Sequence, residues 1–208
     1  VCAESRLLEA LDAAHLFAAG AFIDAGESVV LVSPKGGRGW WDHVTASPEW
    51  RDGASDPLDR WSRRVLDRIA AEFGGRAVLP SDGPPYAPFY DWALRTGRSF
   101  VSPVRLLVHA ESGLWASFRG ALVVPFGVTL PPAPDPCKTC AQRPCLTACP
   151  VGALTAQGYD LAACHGALEG PAASCMTQGC AARKACPLSI RHARLAEQSA
   201  YHMGQFHK

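Results

Sequence analysis

The sequence predicts an α+β chain in two parts. Residues 1–130 form an α/β layer with a mainly antiparallel sheet, and residues 131–208 form a small cysteine-rich domain with a C-terminal helix. Three observations predict this. The first 130 residues alternate between helical and extended apolar spacing. Eight of the nine cysteines fall between Cys137 and Cys186. A stiff proline-rich stretch, Thr129 to Pro136, stands between the two regions and marks the boundary.

The elements follow in order. Leu7, Leu8, Leu11, Ala14 and Phe17 recur at helical spacing and predict an amphipathic helix over 4–19. Val29–Val32 reads as a buried strand ended by Ser-Pro-Lys-Gly-Gly. The glycine-rich turn after it lacks the Walker and dinucleotide spacings, so it reads as a flexible connection rather than a phosphate cradle. Asp56-Pro57 starts a second helix, with Leu58, Trp61, Val65, Ile69 and Phe73 on one face and Gly74-Gly75 as its stop. A strand near Ala77–Leu79 follows. The aromatic run Tyr86 to Trp92 leads into a short helix ending at Gly97, and reads as core packing before it reads as a cofactor wall. Val104–His109 and Leu114–Val124 then flank Glu111-Ser112-Gly113 as a predicted hairpin.

With 208 residues, 48% of them hydrophobic and 19% charged, the chain can build a core, so wholesale disorder is excluded. No apolar run approaches the roughly 18–20 residues needed to span a bilayer, and Glu4, Arg6, Glu9 and Asp12 interrupt the start where a secretion signal would be apolar. The expectation is a soluble, cytoplasmic protein. The net charge of +1 advertises neither DNA nor membrane binding. The charge is unevenly spread, however: residues 1–136 carry 13 basic against 16 acidic side chains, and residues 137–208 carry 7 against 3.

The basic region is also the cysteine region. Nine is an odd number, and a full disulfide framework is a poor reading of it. One group is Cys137, Cys140, Cys145 and Cys149-Pro150; the other is Cys164, Cys175, Cys180 and Cys186-Pro187. Each is a quartet ending in Cys-Pro. Structural zinc and plain buried thiols compete with iron–sulfur ligation here, but zinc sites usually present two C-x2-C pairs or add histidine, and only one C-x2-C exists. Cys2, far off in sequence, reads as a plain thiol. No Ser-His-Asp, His-Glu-x-x-His or paired-carboxylate motif is legible, so no catalytic residue is assigned.

The two Cys-Pro quartets resemble the bacterial two-cluster ferredoxin pattern, with a longer second gap and a stretched second group. In that pattern the cysteine before proline serves the other cluster. The resemblance therefore implies a small ferredoxin-like bicluster domain. Its first [4Fe–4S] cluster is held by Cys137, Cys140, Cys145 and Cys186, and its second by Cys149, Cys164, Cys175 and Cys180. The stretched second group leaves a [3Fe–4S] centre or a single occupied site open. Two ligated clusters bring roughly −4, which would cancel the basic excess of this region. Ile190, Ala193, Leu195 and Ala196 on a predicted helix over 188–198 are available to shield the clusters, and the tail from Tyr201 to His207 reads as exposed.

Val108 to Leu122, with His109, Trp115 and the Arg119-Gly120 pair, resembles the hairpin that lies beside the corrinoid in the cobalamin-processing family (the CblC or MMACHC type). The cysteine domain is similar to that of epoxyqueuosine reductases, in which a related cobalamin domain is fused to two [4Fe–4S] clusters. The resemblance implies His109, Trp115 and Arg119 as cofactor contacts and electron delivery to a bound corrinoid or flavin. On that reading the chain is a cobalamin-dependent or cobalamin-processing reductase with a redox partner protein. A tRNA substrate is not expected, because the helical-repeat extension of the reductases has no counterpart in the sequence. The alternatives are a simple electron carrier that docks a partner protein, and a non-redox zinc-binding structural protein.

Overall fold

The computed structural model describes residues 2–208. Its elements, in chain order, are α1 (Ala3–Ala13), β1 (Leu16–Asp24), β2 (Glu27–Pro34), α2 (Arg38–Thr45), α3 (Pro48–Arg51), α4 (Pro57–Glu72), β3 (Arg76–Val78), α5 (Phe89–Arg95), β4 (Ser99–Val101), β5 (Leu107–His109) and β6 (Gly120–Val124). A short 3-10 turn (Pro144–Leu146) follows, then α6 (Leu161–Ala167), α7 (Ser174–Gln178), α8 (Ala181–Lys184), α9 (Pro187–His192) and α10 (Ala196–Phe206). The class is α+β with antiparallel sheets. Among the described residues, no helix is long and apolar enough to cross a membrane.

The chain divides into two compact units, and the division is not a single cut. The first unit takes the residues up to Arg98 together with Ser117–Ala133; the second takes Ser99–Ala116 together with Pro134–Lys208. The proline-rich stretch does lie at one crossing. The segment 99–116, which the sequence reading placed in the first domain, instead folds with the cysteines.

In the first unit the sheet runs β1-β2-β6-β3, antiparallel throughout. The two central strands explain its stability: Val29–Val32 of β2 and all of β6 are buried, as an uninterrupted apolar run requires. Leu7 and Leu11 of α1 and Leu58, Trp61, Val65, Leu66 and Ile69 of α4 complete the core. Trp61 packs edge-on to Trp40 of α2 with ring centroids 6.0 Å apart. Both rings are at most 1% exposed.

Several expectations need correction. The first helix stops at Ala13 instead of running to residue 19. His15 turns into the left-handed region (φ 56°), and Leu16–Asp24 is claimed by pairing along β2. Phe17 at helical spacing is thus a coincidence of an alanine-rich strand, overridden by tertiary pairing. The Gly36-Gly37 turn is a helix start, with Gly37 (φ 74°) capping α2. Asp56 stands at the cap of α4 but is left-handed, and its side chain makes no capping bond. The predicted 104–124 hairpin does not form: β5 pairs with β4, while β6 pairs with β2 and β3, and the Gly113 turn closes only the His109–Gly113 bridge. A strand as apolar as β6 finds two neighbours in the first sheet, which a solitary hairpin could not supply.

Near the C-terminus the expected single helix is two, separated by Ala193 in the left-handed conformation (φ 55°). Ile190, expected to shield, is 66% exposed, whereas Ser189, Gln198 and Ser199 are buried. The tail is no loose end either, since Tyr201–Phe206 belongs to α10.

The second unit has little regular structure and a thin core. Val104, Val108, Leu114, Cys145, Leu154 and Ala182 form one buried cluster, with Cys137, Cys149, Cys180 and Cys186 packed against it. Ala167, Leu168, Ala172 and Cys175 form another. Thiols thus stand where a larger domain would place leucine.

Removing the largest anchor of the first unit should be costly. Trp61→Ala is expected to lower stability by about 3–5 kcal/mol, read as a fall in denaturant midpoint.

Candidate metal centres

All nine cysteines are free thiols. Cys2 is exposed and caps α1, accepting from the Ser5 amide at 3.5 Å. The other eight sort in space into two groups. Cys137, Cys140, Cys145 and Cys186 line one cavity of about 230 Å³. Cys149, Cys164, Cys175 and Cys180 line another of about 160 Å³. Each cavity is several times the roughly 30 Å³ that one water occupies in the liquid.

Local chain chemistry places each sulfur. The Asp135 carboxylate accepts from the Cys137 amide at 2.9 Å and fixes the turn that delivers Cys137. Arg143 in the left-handed region (φ 42°) and Pro144 at the first position of the 3-10 turn set Cys145 inside it. Cys186 caps α9, and Pro187 follows at the first helical position, where its missing N–H costs nothing. In the second quartet Asp160 caps α6 through the Ala163 amide at 2.8 Å, placing Cys164 one turn on. Cys149 accepts from the Ala153 amide at 3.3 Å, and the Tyr159 hydroxyl donates to the Cys164 sulfur at 3.3 Å. The Tyr159 ring lies nearly parallel to that of Phe206.

Two glycines are dictated by close approach. At Gly113 (φ 60°) a Cβ would come within 2.6 Å of the Ser189 amide nitrogen, and the neighbouring Leu114 amide donates to Ser189 Oγ at 3.0 Å. At Gly179 (φ 83°) a Cβ would meet the Ser199 side chain at 2.7 Å and the Trp115 ring at 3.0 Å. Gly179 therefore lets Cys180 sit between α7 and α8.

Burial makes three of the thiols, Cys137, Cys145 and Cys180, harder to ionise. It pushes Cys137 up to about 11, with the Asp135 charge and the neighbouring Cys145, Cys186 and Cys140 adding to it. Burial also raises Cys145, and Cys186 and Cys140 raise it further. Cys180 is raised by burial against the opposing pull of the Arg183 backbone. Bare thiolates are disfavoured at these three positions. Among the described residues, no three His, Cys, Asp or Glu side chains converge closely enough to hold a single ion.

Of the three residues implied as cofactor contacts, His109 and Trp115 belong to the second unit and Arg119 to the first. His109 is buried in β5, and its Nδ1 accepts from the Glu111 and Ser112 amides at 3.2 and 3.3 Å. Trp115 lines the second-quartet cavity, with the Arg194 guanidinium 4.8 Å above its ring. Arg119 belongs to the first unit, where it pairs with Asp59 at 3.7 Å. Tyr159, Ser189 and Arg194 were not singled out from the sequence; only the position of Tyr159 between Cys149 and Cys164 hinted at a role.

No protein-family profile matches the chain, and no curated protein or solved structure matches it either.

Burial depresses His192 to about 4, helped by the Arg194 and His109 charges. A histidine held neutral leaves the unfolded chain binding more protons below pH ~6.5, so stability falls as pH drops from about 6.5 to about 4 and then levels off. His192→Gln should flatten that part of the melting-temperature profile, leaving the rest unchanged.

Proposed function

We propose that the chain is an iron–sulfur redox protein that holds one [4Fe–4S] cluster in each cysteine cavity. The observation that carries this is the interleaved sorting of the sulfurs. Cys149 leaves its sequence neighbours to join Cys164, Cys175 and Cys180, and Cys186 joins Cys137, Cys140 and Cys145. That exchange across the two Cys-Pro positions is the arrangement of two-cluster ferredoxins. When bound, such clusters supply one-electron redox chemistry.

The donor sets fit the group. Both cavities have four cysteine sulfurs on their walls, and the first is lined by no carboxylate or imidazole. The thiols surround a space rather than meet at a point, which suits a polynuclear group better than zinc with its four bonds of roughly 2.3 Å to a single centre. The chain's own residues then hold, shield and tune. Pro150 and Pro187 turn the backbone away after their cysteines. Leu154, Leu168 and Trp115 give the second cavity apolar walls. The Ala153 amide and the Tyr159 hydroxyl donate to ligand sulfurs and raise the reduction potential by favouring the more negative state.

Electron delivery to a corrinoid or flavin forms no part of this proposal. Arg119 is engaged by Asp59, and Trp115 faces the cysteine cavity. Electron transfer alone is what the geometry supports best.

Anaerobic loading should give about eight irons and eight sulfides per chain, with two interacting spectra in EPR after reduction. Cys186→Ser should remove the same cluster as Cys145→Ser, and Cys149→Ser the same one as Cys175→Ser. If Cys149→Ser instead strips the cluster lost with Cys137→Ser, the partition is wrong; a chain that takes up no iron ends the proposal. Tyr159→Phe should lower one midpoint potential by up to roughly 20–65 mV, for a lost hydrogen bond of about 0.5–1.5 kcal/mol, while the other midpoint stays put.

A further inference from the structure

Beside the first quartet, and sharing the Cys137 wall with it, lies an open groove of about 450 Å³. Arg105, Lys138 and Arg143 line it, and all three are exposed. Arg191, also exposed, lines the adjoining cysteine cavity. The only acidic side chain lining either space is Asp135, which is turned inward to the Cys137 amide. None of the four cations forms an ion pair among the described residues. Arg105 is aimed by its own backbone: it is left-handed (φ 63°), and its Nε donates to the Ala156 carbonyl at 3.0 Å. Val101, 42% exposed on strand β4, adds an apolar foothold.

Even after a loaded cluster contributes about −2, the rim remains net positive, and its cations face solvent while the cluster charge lies inside. Such a one-signed concave surface steers and orients a partner of opposite charge. We propose that this groove docks an acidic one-electron carrier protein at the Cys137 side of the first quartet. This rests on the iron–sulfur reading above. The carrier is oxidised by one electron and the centre held by this quartet is reduced by one, with no bond made or broken. Nucleic acid is the less suited occupant, because the groove lining carries no aromatic ring on which a base would stack.

The test is binding, followed independently of electron transfer. Oxidised plant-type [2Fe–2S] ferredoxin, an acidic carrier, is titrated onto the immobilised iron-loaded chain, with iron content measured in parallel. The wild type should bind, and binding should weaken about tenfold or more between roughly 50 and 300 mM salt. Arg105→Glu/Lys138→Glu should bind at least about tenfold more weakly with unchanged iron content. Arg105→Glu, remote in sequence from every cysteine, should show the same loss should the double variant load poorly. An iron-loaded wild type that ignores the carrier, a charge-reversed chain that binds it as before, or a groove that prefers a single-stranded RNA oligonucleotide each overturns the docking proposal and leaves the clusters standing. A wild-type chain without iron sinks the cluster reading whatever it binds.

Discussion

The second unit depends on one constraint: six of its eight thiols, Cys137, Cys145, Cys149, Cys175, Cys180 and Cys186, stand in or against its two small hydrophobic clusters. Its longest helix has eleven residues and its strands three each, so neither helix propagation nor a sheet ladder can carry the fold. The side chains that meet at its centre are small aliphatics and cysteines. Burial makes Cys137, Cys145 and Cys180 reluctant to ionise. This part of the chain thus packs around its cysteines, whereas the first unit is built on a tryptophan-rich core and an ordinary sheet.

That contrast accounts for where the polar groups lie. Ion pairs in the first unit sit mainly on its helical surface, as with Arg60–Asp52 and Arg64–Glu49. In the second unit Arg105, Lys138, Arg143 and Arg191 are displayed around the first cysteine cavity and its neighbouring groove, with no ion pair among the described residues. The basic excess of residues 137–208 is thus a feature of cavity rims as well as an offset to the clusters that the thiols would hold.

What could be read in the sequence follows from how local each signal is. The helix over 57–72 was legible because its apolar stripe and its Pro and Gly boundaries are all local, and the interleaving of the two quartets was legible because the Cys-Pro pattern carries it. β1 was hidden because an alanine-rich segment has no alternation until β2 aligns it. The pairing of β5 with β4 was hidden too, since a turn containing Gly113 invites a hairpin and only the apolarity of β6 betrays a better partner elsewhere. The spread of His109, Trp115 and Arg119 over two units followed from the same misplaced hairpin.

The path of the backbone has a consequence for how the protein is made. The chain passes between its units near residues 98, 116 and 133, so the first unit has all its strands once Ala133 has left the ribosome. The 99–116 segment, by then already synthesised, can pair β4 with β5 but gains the rest of its unit only with residues 134–208. During translation it forms a loop tethered at both ends to a finished body, and that body keeps the loop from drifting off while the cysteines arrive. Cutting the gene at the proline-rich stretch would separate the two segments of the second unit, 99–116 and 134–208, so neither piece would hold that unit whole.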